Sequence, residues 1–128
     1  MGKAEVSEWL LRAEKDFEEA KFLFEHHRPL ENAAFFIHQA VEKALKGYLI
    51  GNSWELEKTH DLVKLNGDAT KFDTAFTKFV PFMEGIVDYY IESRYPIGYL
   101  VEYTREEIEK AIIDSRTFMA FVKGKCSK

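Results

Sequence analysis

Apolar residues recur at three- and four-residue steps from the start of the chain. Trp9, Leu10, Ala13, Phe17, Ala20 and Phe24 share one face, which predicts a helix over about residues 4–26. The opposite face carries Glu14, Lys15, Glu18, Glu19 and Lys21 and reads as solvated surface. Pro29 breaks the pattern and can open the next helix, predicted over Leu30 to Ile50. Projected at about 100° per residue, Phe36, Ile37, Ala40, Val41, Ala44, Gly47 and Tyr48 fill about half of its circle. His38, Gln39, Glu42, Lys43 and Lys46 share an arc of about 140°. Ala33, Ala40, Ala44 and Gly47 form a small-residue seam that lets a neighbouring helix come close.

Between Gly51 and Asp61 the periodicity lapses into a loop. Thr59 or Asp61 can cap a short helix running through Leu65, with Asn66 and Gly67 as its stop signal. From Phe72, the series Phe76, Phe79, Val80, Met83, Ile86, Val87 and Tyr90 keeps helical register through Pro81, which predicts one bent helix. Ser93 to Tyr103 is a Tyr-rich connection. Thr104 and Glu107 then have capping-box spacing ahead of a stripe of Ile108, Ala111, Ile112, Ser115, Phe118, Met119 and Val122. The tail, about 124–128, is expected to fray. With no useful strand alternation, no repeat and no linker, residues 1–128 are expected to form a single all-α domain. Its architecture is an up-and-down four-helix bundle with one additional short helix.

Composition narrows the function classes. With 128 residues, one core is expected. The 46% apolar and 31% charged fractions exclude disorder as the main state. A formal charge of −4 argues against a broadly basic nucleic-acid binder, so any RNA or nucleotide site must be local. The single cysteine, Cys126, leaves no disulfide framework. No signal-peptide pattern and no run of roughly eighteen apolar residues occurs, so a cytoplasmic location is expected.

Few residues offer chemistry. His26 and His27 fall at the end of the first helix, where a cation complements the helix dipole and caps it. His38 and Glu42, one turn apart, with His60 from the following loop, could supply three metal ligands. Without an HExxH or a second such helix they read instead as a polar interior network, and no metal or cofactor is expected. Arg94 follows Tyr89 and Tyr90 and precedes Tyr95 and Pro96. Its guanidinium can bind phosphate bidentately beside Tyr hydroxyls and aromatic faces, or cap its own helix and pair with Glu92 or Asp88. Glycine-rich phosphate loops, GxSxG elbows, Cys–His dyads and paired-Cys zinc motifs are all missing. The aromatic surplus at Tyr89, Tyr90, Tyr95, Tyr99 and Tyr103 points to a self-association surface.

Three strings in order, residues 32–47 (NAAFFIHQAVEKALKG), 59–62 (THDL) and 92–96 (ESRYP), together with Ala13, Asp16 and Ala20, resemble the HEPN domain family over about residues 4–123. The resemblance implies a helical bundle that dimerises and is often encoded beside a minimal nucleotidyltransferase in toxin–antitoxin pairs. Many such relatives are metal-independent ribonucleases, in which an Arg and a His four to six residues later form a site across the dimer cleft. Here no histidine follows His60, so that general acid or base is absent. The sequence therefore reads first as a nucleotide- or RNA phosphate-binding homodimer acting with a nucleotidyltransferase, its site formed by Arg94, His60, Lys43, Lys46, Tyr90 and Tyr95. Ribonuclease activity through His60 and Arg94 is the alternative, and a purely structural or interaction module is the third reading.

Overall fold

The computed structural model describes residues 2–92 and 102–127, with backbone alone at Ile91 and Glu92. Arg94, Tyr95 and Tyr99 lie outside the described residues. Helix α1 spans Lys3–Glu25 and α2 spans Leu30–Gly51, within a residue of the boundaries read from periodicity. They are joined by a tight turn in which His27 takes a positive φ of 55°, and His26 donates from Nδ1 to the Phe22 carbonyl at 2.9 Å. That bond is the helix-end cap expected of His26.

The α1–α2 pair packs most intimately, and the small-residue seam explains how. A Cβ added to Gly47 would lie 3.0 Å from the Trp9 Cβ and 3.5 Å from Leu10 Cδ2. Any larger residue would require α1 to give by a few tenths of an ångström, and that close approach offsets the helix cost of glycine, about 1 kcal/mol. Helix α2 also packs against α3 (Leu62–Phe72), α5 (Tyr89–Glu92) and α6 (Arg105–Cys126), so it is the buried axis of the bundle. Fourteen of its residues are buried, including the charged Glu42 and Lys46.

Helix α3 spans Leu62–Phe72. Asp61 caps it, Oδ1 accepting from the Val63 and Lys64 amides at 3.1 and 3.2 Å, while Thr59 Oγ1 accepts from the Asp61 amide. The expected stop at Asn66 and Gly67 does not occur. Asn66 is buried and donates from Nδ2 to the Phe76 carbonyl, so its side chain holds the next segment instead of breaking its own helix.

The single bent helix expected from Phe72 is replaced by three short pieces: a 3-10 turn over Thr74–Phe79, α4 at Val80–Ile86 and α5 at Tyr89–Glu92. Asp73 restarts the chain by accepting from the Ala75 amide, and Pro81 sits in the first turn of α4, where its missing N–H is not needed. Phe76, Phe79, Met83 and Ile86 are nonetheless all buried, so the apolar face persists while the helix type changes.

Helix α6, Arg105–Cys126, begins as the capping spacing predicts, with Thr104 Oγ1 accepting from the Glu107 amide at 3.0 Å. The helix continues to Cys126, anchored by Lys125 to Asp73 at 2.7 Å. Phe118 and Phe121 pack edge-on or tilted against Phe76 and Phe79, closing the core. The described residues are thus all helix, turn and loop, and no described helix is long and apolar enough to cross a membrane.

Candidate functional site

The loop from Asn52 to Asp61 returns the chain from the end of α2 to its middle. It is pinned at its start by the Trp54 amide on the Leu49 carbonyl, and along its length by Trp54 Nε1 on Asp68 Oδ2 at 3.2 Å. Lys64 bridges Glu57 and Asp68 at 2.6 and 2.9 Å. These bonds bring His60 against the polar arc of α2.

Four groups meet there. Glu42 Oε1 lies 2.9 Å from His60 Nδ1, and Glu42 Oε2 accepts from the Lys46 ammonium at 2.8 Å. His38 Nε2 lies 2.9 Å from the His60 main-chain carbonyl. His38 Nδ1 is 3.6 Å from Glu42 Oε1 and has no hydrogen-bond partner among the described residues. The tautomers follow from the acceptors. A carbonyl oxygen and a carboxylate can only accept, so His38 carries its proton on Nε2 and His60 carries one on Nδ1.

Burial pushes the His38 imidazole below its ordinary value; the Glu42 carboxylate and the bond to the His60 carbonyl pull it up without cancelling that effect. His38 is therefore neutral at neutral pH. Glu42 and Lys46 are almost fully enclosed, with 8% and 7% of their side chains exposed, and each is the other's counter-charge. The predicted polar interior network is thus present, with His60 as its outlet: 48% of the His60 side chain is exposed.

Tyr90, from α5, stacks on the exposed imidazole with ring centroids 4.1 Å apart and 13° between planes. It also lies 5.6 Å from the His38 ring. Beside this pair is a cavity of about 550 Å³ lined by His60, Asp61, Val63, Val87, Asp88 and Tyr90.

Of the residues expected to form one anion-binding cluster, the fold brings together His60 and Tyr90, with Lys46 reaching the site only through Glu42. Lys43 lies three residues before Lys46, but its ammonium pairs with Asp16 of α1 at 2.6 Å. Arg94 and Tyr95 lie outside the described residues. Glu42 is the member of the network whose role the sequence left least defined. Its signal was a lone carboxylate amid three cationic or imidazole groups on one arc. Tyr89, counted among the surplus aromatics, is buried, packs edge-on against Tyr103 and donates to Glu107 at 3.3 Å. Among the described residues no group of three His, Cys, Asp or Glu side chains is arranged to hold a metal ion.

A family model described as the HEPN domain matches residues 6–125. Among solved structures, the chain is similar to TT1696 from Thermus thermophilus, with 26% identity and a TM-score of 0.83 over 94% of this chain and 98% of that one. It is also similar to ST0689, described as an archaeal HEPN homologue, with 26% identity and a TM-score of 0.75 over 95% and 98% of the two chains. No curated protein matches it.

Proposed function

Because the chain belongs to the HEPN domain family, we propose that it is a dimer that binds a nucleotide or an RNA phosphate locally and acts beside a minimal nucleotidyltransferase in a toxin–antitoxin type system. The observation that carries this reading is the His60–Tyr90 stack at the rim of a cavity, with the imidazole held from behind by Glu42. A stacked aromatic pair beside polar groups is a platform for a base. Arg94, four residues after Tyr90 in sequence, supplies the phosphate-binding guanidinium, and Tyr95 a further donor. Lys43 and Lys46 contribute through their ion pairs with Asp16 and Glu42, which steady α2 behind the site. Calorimetric titration with nucleotides should show binding that Arg94→Ala weakens. Absence of binding to any nucleotide rejects the reading, and light scattering that returns only a 15.0 kDa species at high concentration rejects the dimer.

The Glu42–His60 pair supports a second reading, a metal-independent ribonuclease. A carboxylate on Nδ1 fixes an imidazole so that Nε2 can exchange a proton with substrate. RNA incubated with the protein in EDTA should then be cut, and His60→Ala should abolish cutting. Intact RNA rejects this reading and leaves the first standing.

A further inference from the structure

The cavity at His60 has a hydrogen-bonding character that the ion pairs behind it determine. His60 is held at two points by one helix: its ring by Glu42 and its main-chain carbonyl by His38. Glu42 is held in turn by Lys46. With a proton on Nδ1, the nitrogen not engaged by α2 is Nε2, which carries a lone pair whenever the ring is neutral. Among the described residues the other ionisable groups on the cavity wall are Asp61, Asp88 and Tyr90, beside Val63 and Val87, and none of these is cationic. One oxygen of Asp61 is occupied by the α3 cap. Among the described residues, then, the ionisable groups around His60 are Glu42, His38 and Lys46 from α2, Asp61 from its own loop, and Asp88 and Tyr90.

The charged groups described on this wall, Asp61 and Asp88, accept, and the Tyr90 hydroxyl can both accept and donate. A phosphate group, negatively charged at neutral pH, meets the Asp61 and Asp88 carboxylates there and is repelled. Sugar hydroxyls and base amino groups donate, and carboxylates that receive a ribose hydroxyl are a familiar device. We propose that this cavity receives the nucleoside portion of the ligand through hydroxyl or amino donors, its phosphate lying outside, with Glu42 as the positioning residue that keeps His60 Nε2 an acceptor. The inference rests on the nucleotide reading above and assigns the two halves of that ligand to different groups.

The test uses the intact, ¹⁵N-labelled protein. Two-bond ¹H–¹⁵N correlation at mildly alkaline pH reports which His60 nitrogen carries the proton. Titration then follows the same signals with adenosine, adenosine 5′-monophosphate and inorganic phosphate. The expected result is the Nδ1–H tautomer in the free protein, with His60 signals displaced by adenosine and by the monophosphate but not by inorganic phosphate. Glu42→Leu/Lys46→Met, which removes the acceptor facing Nδ1 without stranding a buried ammonium, should abolish the tautomer preference. It should also weaken adenosine binding by about tenfold, the scale of one charge-assisted hydrogen bond. Asp88→Lys, at an exposed position where the fold is not at risk, should weaken adenosine as well. An Nε2–H tautomer in the free protein, adenosine affinity unchanged in both variants, or phosphate displacing the His60 signals while adenosine does not, each overturns the inference. Monophosphate binding that leaves His60 undisturbed overturns it and spares the nucleotide reading, whereas no binding at all rejects both.

Discussion

The two sides of α2 solve opposite problems. Toward α1, alanines and Gly47 remove side-chain volume until a Cβ on residue 47 would lie 3.0 Å from the Trp9 Cβ. Toward the loop and α5, the same helix buries an imidazole, a carboxylate and an ammonium, each of which needs a partner before burial is tolerable. The first side is governed by shape and the second by pairing, so a substitution should fail on each side for a different reason.

The largest effect is expected where pairing is broken. Glu42→Ala leaves the Lys46 ammonium enclosed without a counter-charge and should cost about 3–5 kcal/mol in chemical denaturation. If the polar side is held by pairing and not by the carboxylate as such, Glu42→Gln/Lys46→Met should recover most of that loss. A double variant as unstable as Glu42→Ala would erase the distinction between the two sides.

On the shape-governed side, Gly47→Val places branched atoms against the Trp9 Cβ and should cost about 1–3 kcal/mol. A neutral outcome would mean that α1 shifts freely, and the seam would then not be what fixes the pair. A shallower effect is expected from pH. The buried His38 takes up a proton less readily than the same residue in the unfolded chain. As pH falls below about 6.5 the unfolded chain is protonated first, so stability declines across that window and levels off once the folded ring also charges. His38→Gln, which retains an N–H for the His60 carbonyl, should flatten this slope in melting scans. The smallest change belongs to Lys43→Met. Its pair with Asp16 is partly exposed at the α1–α2 edge, and its loss should cost under about 1 kcal/mol.

The shape-governed side was legible in the sequence, because small and apolar residues at helical spacing state directly which face meets another helix. The bounds of α1 and α2 and the Thr104 cap followed from such local signals. The broken stretch between Asp73 and Glu92 did not: 3-10 and α segments can keep one apolar face continuous, so periodicity alone does not register a change of helix type at Asp73 or Pro81. The polar side was legible only in part. Charged residues on an arc look the same whether water or another element covers them. The ten-residue loop that lays His60 over Glu42 and Lys46 is what decides the matter. Lys43 and Lys46 show the limit most clearly: three residues apart on one arc, they serve different carboxylates on different elements.

The double attachment of His60 has a kinetic corollary. A half-exposed imidazole ordinarily swivels about its Cβ–Cγ bond within nanoseconds. Here such a swivel would have to tear Nδ1 from Glu42 and slide out from under Tyr90, while His38 keeps the main chain from yielding. An arriving molecule thus meets a ring already oriented, and the entropy of orienting it was spent when the chain folded.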